Sequence, residues 1–188
     1  ELRKDNVIVH SHMTMGPSDF TFEEGRKQAE EQYGADNIAV VDRVYHTPRV
    51  SHCHLELPTS WAYVETNGKI TVVTSTQIPH IVRRCTAQAL GVPVGQVRII
   101  KPYIGGGFGN KQDTMYEPLV ALASKRLGGR CVAIVLTREE TFVNTRTRHG
   151  FDMTIAASAD AQGNLTRRGI RINSNGGAYA AHTHAVAA

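Results

Sequence analysis

Long apolar runs are missing from this 188-residue sequence. No stretch approaches the roughly 20 consecutive apolar residues that a bilayer span needs, so no membrane role is expected. Residues 1–15 lack a basic start followed by an apolar core, so no secretory signal is visible and a cytoplasmic location is expected. Cysteine is scarce. Cys53, Cys85 and Cys131 are odd in number and far apart, and no CxxC pair exists. That argues against a zinc ribbon or a thioredoxin-like site and predicts reduced thiols in the core. Aromatic residues make up 6% of the chain, and none interleaves the one basic cluster, Arg146, Arg148 and His149. Despite a formal net charge of +4, that cluster reads as a solvated edge or a partner contact and not as a nucleic-acid site. Gly-x-Ser-x-Gly is absent too, and Cys53 has only its sequence neighbours His52 and His54 to suggest a base, so nucleophilic catalysis is poorly supported.

What is present is a globular composition, 41% hydrophobic and 20% charged. Residues 1–20, with Gly16-Pro17 and no sustained period, read as an arm or linker from an upstream domain. Residues 21–188 read as a domain cut short at its C-terminus; the start at Glu1 and the Ala/His stretch at the end suggest an excerpt of a longer polypeptide. Thr21 to Tyr33 predicts a charged helix, with Thr21 and Glu24 at capping-box spacing and Phe22, Ala29 and Tyr33 as its thin apolar face. Ser60–Glu65 and Lys69–Thr76 flank Thr66-Asn67-Gly68, a strong hairpin signal. After Pro79, Val82, Cys85, Ala89 and Leu90 recur at helical spacing up to Gly91. Val97–Lys101 reads as a strand, residues 114–127 as a helix with Met115, Leu119, Leu122 and Ala123 inside, and Cys131–Leu136 as the next strand. Thr137 and Glu140 again have capping-box spacing, and Phe151–Ala157 with Leu165–Ser174 predict a second hairpin. The expected fold is α+β, a two-layer mixed sheet with packed helices.

The run Gly105-Gly106-Gly107-Phe108-Gly109 is the most informative local feature. Consecutive glycines allow unusual backbone angles and let a ligand approach peptide N–H groups, and a following helix would add its dipole for an anion. Gly109-Asn110-Lys111-Gln112 fails the Walker pattern, and Asn110 replaces the last glycine of a dinucleotide fingerprint. A tight strand–helix connection without a ligand stays open, as do a phosphate- or nucleotide-binding module and a non-catalytic assembly domain. Three His-x-His pairs, His10/His12, His52/His54 and His182/His184, lack further ligands at usual spacing and read as polar loop or interface histidines. Glu23/Glu24, Glu30/Glu31 and Glu139/Glu140 read as solvated faces and caps.

Together these segments resemble one family. Ser75-Thr76-Gln77-Ile78-Pro79-His80, Leu90-Gly91-Val92-Pro93, Val97–Lys101 and the loop from Gly105 to Lys111 follow the order and spacing of the molybdenum-cofactor-binding large subunit of xanthine dehydrogenase and related molybdenum hydroxylases. His54-Leu55-Glu56, Arg146-Thr147-Arg148-His149 and Ser174-Asn175-Gly176-Gly177-Ala178-Tyr179 are similar too, so the resemblance covers about residues 40–188 and is strongest to the bacterial separate-subunit type.

The resemblance implies that residues 21–188 are part of the first molybdopterin-binding domain of an enzyme that hydroxylates a purine or related N-heterocycle with water-derived oxygen. It implies a molybdenum–molybdopterin cofactor, with iron–sulfur clusters and FAD on partner domains or subunits of an oligomeric enzyme. Gln77, Gly107, Phe108 and Gly109 would contact the cofactor, with Gln77 and the Phe108 backbone near molybdenum through its oxo ligand. Gln112 would meet the substrate where mammalian members carry a glutamate. The general-base glutamate would lie beyond Ala188, so the excerpt alone is expected to be inactive.

Overall fold

A computed structural model describes residues 22–177, 180 and 182–187. The arm read into residues 1–20, Thr21 of the first capping box and the pair His10/His12 lie outside the described residues. The rest forms two compact units: one runs to Val50 and resumes at His149, and the other is Ser51–Arg148.

The continuous unit is built on a four-stranded mixed sheet. Strands β2 (Thr59–Val64) and β3 (Ile70–Thr74) form the expected antiparallel hairpin. Its turn is set by Gly68 at φ 82° and by the Asn67 side chain, whose Oδ1 accepts from the Lys69 N–H at 2.8 Å. Helix α2 (Pro79–Leu90) follows; proline at the helix start costs no hydrogen bond, and Gly91 at φ 63° ends it. Strand β4 (Val97–Ile100) then pairs parallel to β3, completing a strand–helix–strand unit. Helix α3 (Glu117–Arg126) leads to β5 (Val132–Val135), which pairs with β2 and gives the order β4-β3-β2-β5. Helix α4 (Arg138–Asn144) carries the expected capping box, with Glu140 N–H donating to Thr137 Oγ1 and Thr137 N–H to Glu140 Oε2.

The helices cover one face of this sheet. Ala62, Ile70, Val72, Val120 and Ala121 are fully buried there, with Leu90, Val92, Ile99 and Ile134 packed around them. The strand period of two puts Trp61 and Tyr63 on the other face, stacked with ring centroids 5.9 Å apart. The inner face of α3 differs from the sequence expectation. Val120, Ala121, Ser124 and Glu117 are buried, while Leu119 is 54% exposed and Leu122 also faces outward. The helix starts at Glu117, after Met115, and the Glu117 carboxylate is drawn inside by donors: Thr74 Oγ1 at 2.8 Å and the Met115 N–H at 2.7 Å. The cysteines are free, but they are not core residues as expected. Cys53 and Cys131 are exposed and Cys85 is half-buried, because the core is filled by small aliphatic side chains.

The split unit is a three-stranded antiparallel sheet. Strand β1 (Ile38–Thr47), absent from the sequence expectation, pairs with β6 (Gly150–Asp160), which pairs with β7 (Leu165–Asn175) as the predicted second hairpin. Helix α1 (Phe22–Tyr33) packs in this unit through Ala29, and a short helix α5 (Thr183–Ala187) closes the described chain.

Candidate functional site

The site is built where the chain leaving β3 meets the glycine loop. Gln77 is fixed at its backbone first: its N–H donates to the Lys111 carbonyl at 2.9 Å, and the buried Thr76 hydroxyl donates to the same oxygen at 3.4 Å. The loop then folds over it. Gly106, Phe108 and Gly109 take φ values of 96°, 51° and 92°, and Asn110 N–H to Gly107 O (2.8 Å) and Gln112 N–H to Gly109 O (3.3 Å) close two successive turns.

These turns bring the expected cofactor residues together. Gly109 N–H donates to Gln77 Oε1 at 3.1 Å, while Gln77 Nε2 donates to no described residue. Gly107 is buried so tightly that a Cβ there would stand 2.4 Å from Gln77 Oε1. Phe108 is 64% exposed. Gln112 joins the group through its backbone, and its carbonyl accepts from Arg146 Nη2 at 3.4 Å.

Support comes from residues without a recognisable motif role. Lys111 is wholly buried, with Nζ 2.5 Å from Glu56 Oε2, and the same oxygen accepts the Gly105 N–H at 2.9 Å. Nothing in the sequence marks Lys111 as buried, since a lysine in a polar loop is ordinarily solvated. His54, expected as a polar loop residue, is instead buried because its Nδ1 lies 2.5 Å from the Glu56 carbonyl and Arg138 Nη2 holds its own carbonyl at 2.6 Å. Its Nε2 is buried with no hydrogen-bond partner. His52 has its pKa lowered, chiefly by burial and then by Arg148, His54 and Arg146. The basic cluster divides: Arg146 turns inward to pair with Asp113 through Nε at 2.8 Å, so it is not a solvated edge, and Arg148 is exposed. The acidic pairs are exposed as expected apart from Glu30, which is partly covered and pairs with Arg26 at 2.8 Å.

The phosphate- or nucleotide-binding alternative loses ground. The helix after the loop begins only at Glu117, and that buried carboxylate occupies its first turn, which disfavours an anion there. Among the described residues no group of three or more His, Cys, Asp or Glu could hold a bare metal ion. A metal group that brings its own ligands could still be held here through hydrogen bonds. Gln77 fits that role, with its amide oxygen anchored and its NH2 available as a donor beside a cradle that a side chain at residue 107 would fill.

The family model for the molybdopterin cofactor-binding domain matches residues 9–188. The chain belongs to that family. Two relatives extend the match. The putative xanthine dehydrogenase molybdenum-binding subunit XdhA of Escherichia coli K12 is 50% identical over 143 residues, 76% of this chain. The xanthine dehydrogenase molybdenum-binding subunit of Escherichia coli O157:H7 is 48% identical over the same length. The chain spans 19% of the length of each. Among solved structures, CO dehydrogenase from Oligotropha carboxidovorans superposes with a TM-score of 0.64 at 26% identity, over 80% of this chain and 18% of that one. The molybdopterin family assignment runs through both compact units, and it gives the Gln77–glycine loop pairing its chemical context.

Proposed function

We propose that this chain is part of the molybdenum-binding subunit of a xanthine-dehydrogenase-type oxidoreductase. Its substrate is a purine or related N-heterocycle, hydroxylated with oxygen taken from water. The observation that carries the proposal is the state of Gln77: its Oε1 is held by the Gly109 N–H, and its amide NH2 is left to donate outward. The high identity to the two xanthine dehydrogenase subunits favours a purine over other substrates.

When bound, a molybdenum–pterin group would supply a two-electron acceptor and the site of oxygen transfer. This chain's residues do the positioning. Gln77 and the Gly107–Gly109 backbone would hold the group, Gln77 as an amide donor and the glycines by close packing, and the exposed Phe108 would offer an aromatic face to the heterocycle. Gln112 hydrogen-bonds the substrate as a neutral amide, able both to donate and to accept. Iron–sulfur and FAD partners take the electrons onward, and the assembled oligomer works in the cytoplasm; the general base comes from outside this segment, so the segment alone does not turn over.

The test is the molybdenum content of the full-length protein purified with its natural partners, followed by reduction with purines and aldehydes. Close to one molybdenum per copy, with faster reduction by a purine, is the expected result. Metal-free protein from a host that loads another molybdenum hydroxylase would overturn it.

A further inference from the structure

The pair of wholly buried Lys111 and part-exposed Glu56 has no place in the roles given so far. A lysine with no exposed surface is rare, because an ammonium loses its hydration on burial and needs a partner in return. Here the partner does more than neutralise. Glu56 Oε2 takes both the Lys111 ammonium and the Gly105 N–H, and the Glu56 N–H donates to the Gly105 carbonyl at 3.2 Å. Gly105 lies so close that a Cβ there would meet Glu56 Cβ at 2.7 Å.

The pair therefore grips both ends of the loop. Gly105 begins it, and Lys111 ends it with a carbonyl that holds Gln77 N–H and the Thr76 hydroxyl. Between these fixed points lie Gly107, Phe108 and Gly109. Upstream, Arg138 of α4 fixes the His54 carbonyl, and His54 Nδ1 meets the Glu56 carbonyl, so the gripping residue is itself held.

We infer that Glu56 and Lys111 are positioning residues: their ion pair, with its ammonium wholly buried, sets the register between the glycine loop and Gln77, and so the direction of the Gln77 amide donor. This rests on the cofactor reading above for its functional meaning, but the register itself can be measured without any cofactor.

The experiment is hydrogen exchange on the full-length protein, comparing wild type with Glu56→Gln and with Glu56→Gln/Lys111→Met. The single variant leaves a buried ammonium unpaired and can lose global stability; the double variant removes that charge and keeps the volume. In the double variant, amides of residues 105–111 are expected to exchange about tenfold faster, the factor for losing one charge-assisted hydrogen bond. Amides of β2, β3 and α3 are expected to keep wild-type rates. In the molybdenum-loaded double variant kcat should fall roughly ten- to a hundredfold with little change in KM, whereas Lys111→Arg with Glu56 intact, which keeps the charge, should retain part of the activity. Wild-type exchange at residues 105–111 in the double variant would overturn the inference. A uniform rise across Ser51–Arg148 would overturn it too, since the pair would then be a stability element only. Metal-free wild type would sink the cofactor reading alone, while the exchange rates would still decide the register.

Discussion

At the scale of single residues, the site depends on one missing side chain. Gly107→Ala places a methyl 2.4 Å from Gln77 Oε1, a separation no real contact tolerates, so Gln77 or the loop must move. On the proposed function, the expected outcome is a roughly ten- to hundredfold loss of molybdenum retention or turnover in the full-length protein, read by metal analysis and kcat. A residue outside the site gives a prediction about acid. Glu65, in the β2–β3 turn, has its carboxyl pKa held below 4.5, first by the buried Thr71 hydroxyl, which donates at 2.7 Å, and then by Asn67. A depressed carboxylate contributes stability that is present above its unfolded pKa and lost as pH falls through the folded value. Thr71→Val should therefore raise the Glu65 pKa toward 4.5, visible in an NMR titration of its side-chain carboxyl. No change would show that the hydroxyl is not its controlling partner.

At the scale of elements, α3 decides how much of the sequence could be read. Its presence and its end were legible, because Met115, Leu119, Leu122 and Ala123 recur at helical spacing and Gly128-Gly129 follow. Its buried face was not. Counting large apolar residues favoured Leu119, yet the sheet admits Val120, Ala121 and Ser124, whose small side chains allow close approach, together with a carboxylate whose donors lie on β3 and before the helix. Val120→Ala should cost about 2 kcal/mol from two lost methyl groups and the cavity they leave, whereas Leu119→Ala should stay within about 0.5 kcal/mol. Denaturant midpoints of the two variants check this, and a reversed order would restore the sequence-based face. The hairpins were legible for a different reason, since Asn67-Gly68 and Asp160–Asn164 carry their turn chemistry locally. Strand β1 was hidden because Asp42 and Arg43 interrupt its apolar residues, and its partner lies over a hundred positions away. The site was half legible: the glycine loop and Gln77 stand in motifs, but Lys111 and Glu56 gain meaning only from contacts between segments far apart in sequence.

At the scale of the whole molecule, the two units differ in how the chain visits them. Ser51–Arg148 is continuous, while the other unit is assembled from residues on both sides of it. Ile38 pairs with Asp160, so β1 leaves the ribosome well before its partner exists. At about 5–20 residues per second the delay is on the order of ten seconds. During that time the continuous unit can fold, whereas β1 carries unpaired backbone groups and the apolar side chains of Val41, Val44 and Tyr45. Stalled nascent chains that expose residues up to 148 with β6 still inside the ribosome should therefore show protease protection within 51–148 and cleavage within 38–47, with protection of 38–47 appearing only once β6 has emerged. In the cell, this strand is the stretch of nascent chain that a holding chaperone has most reason to cover.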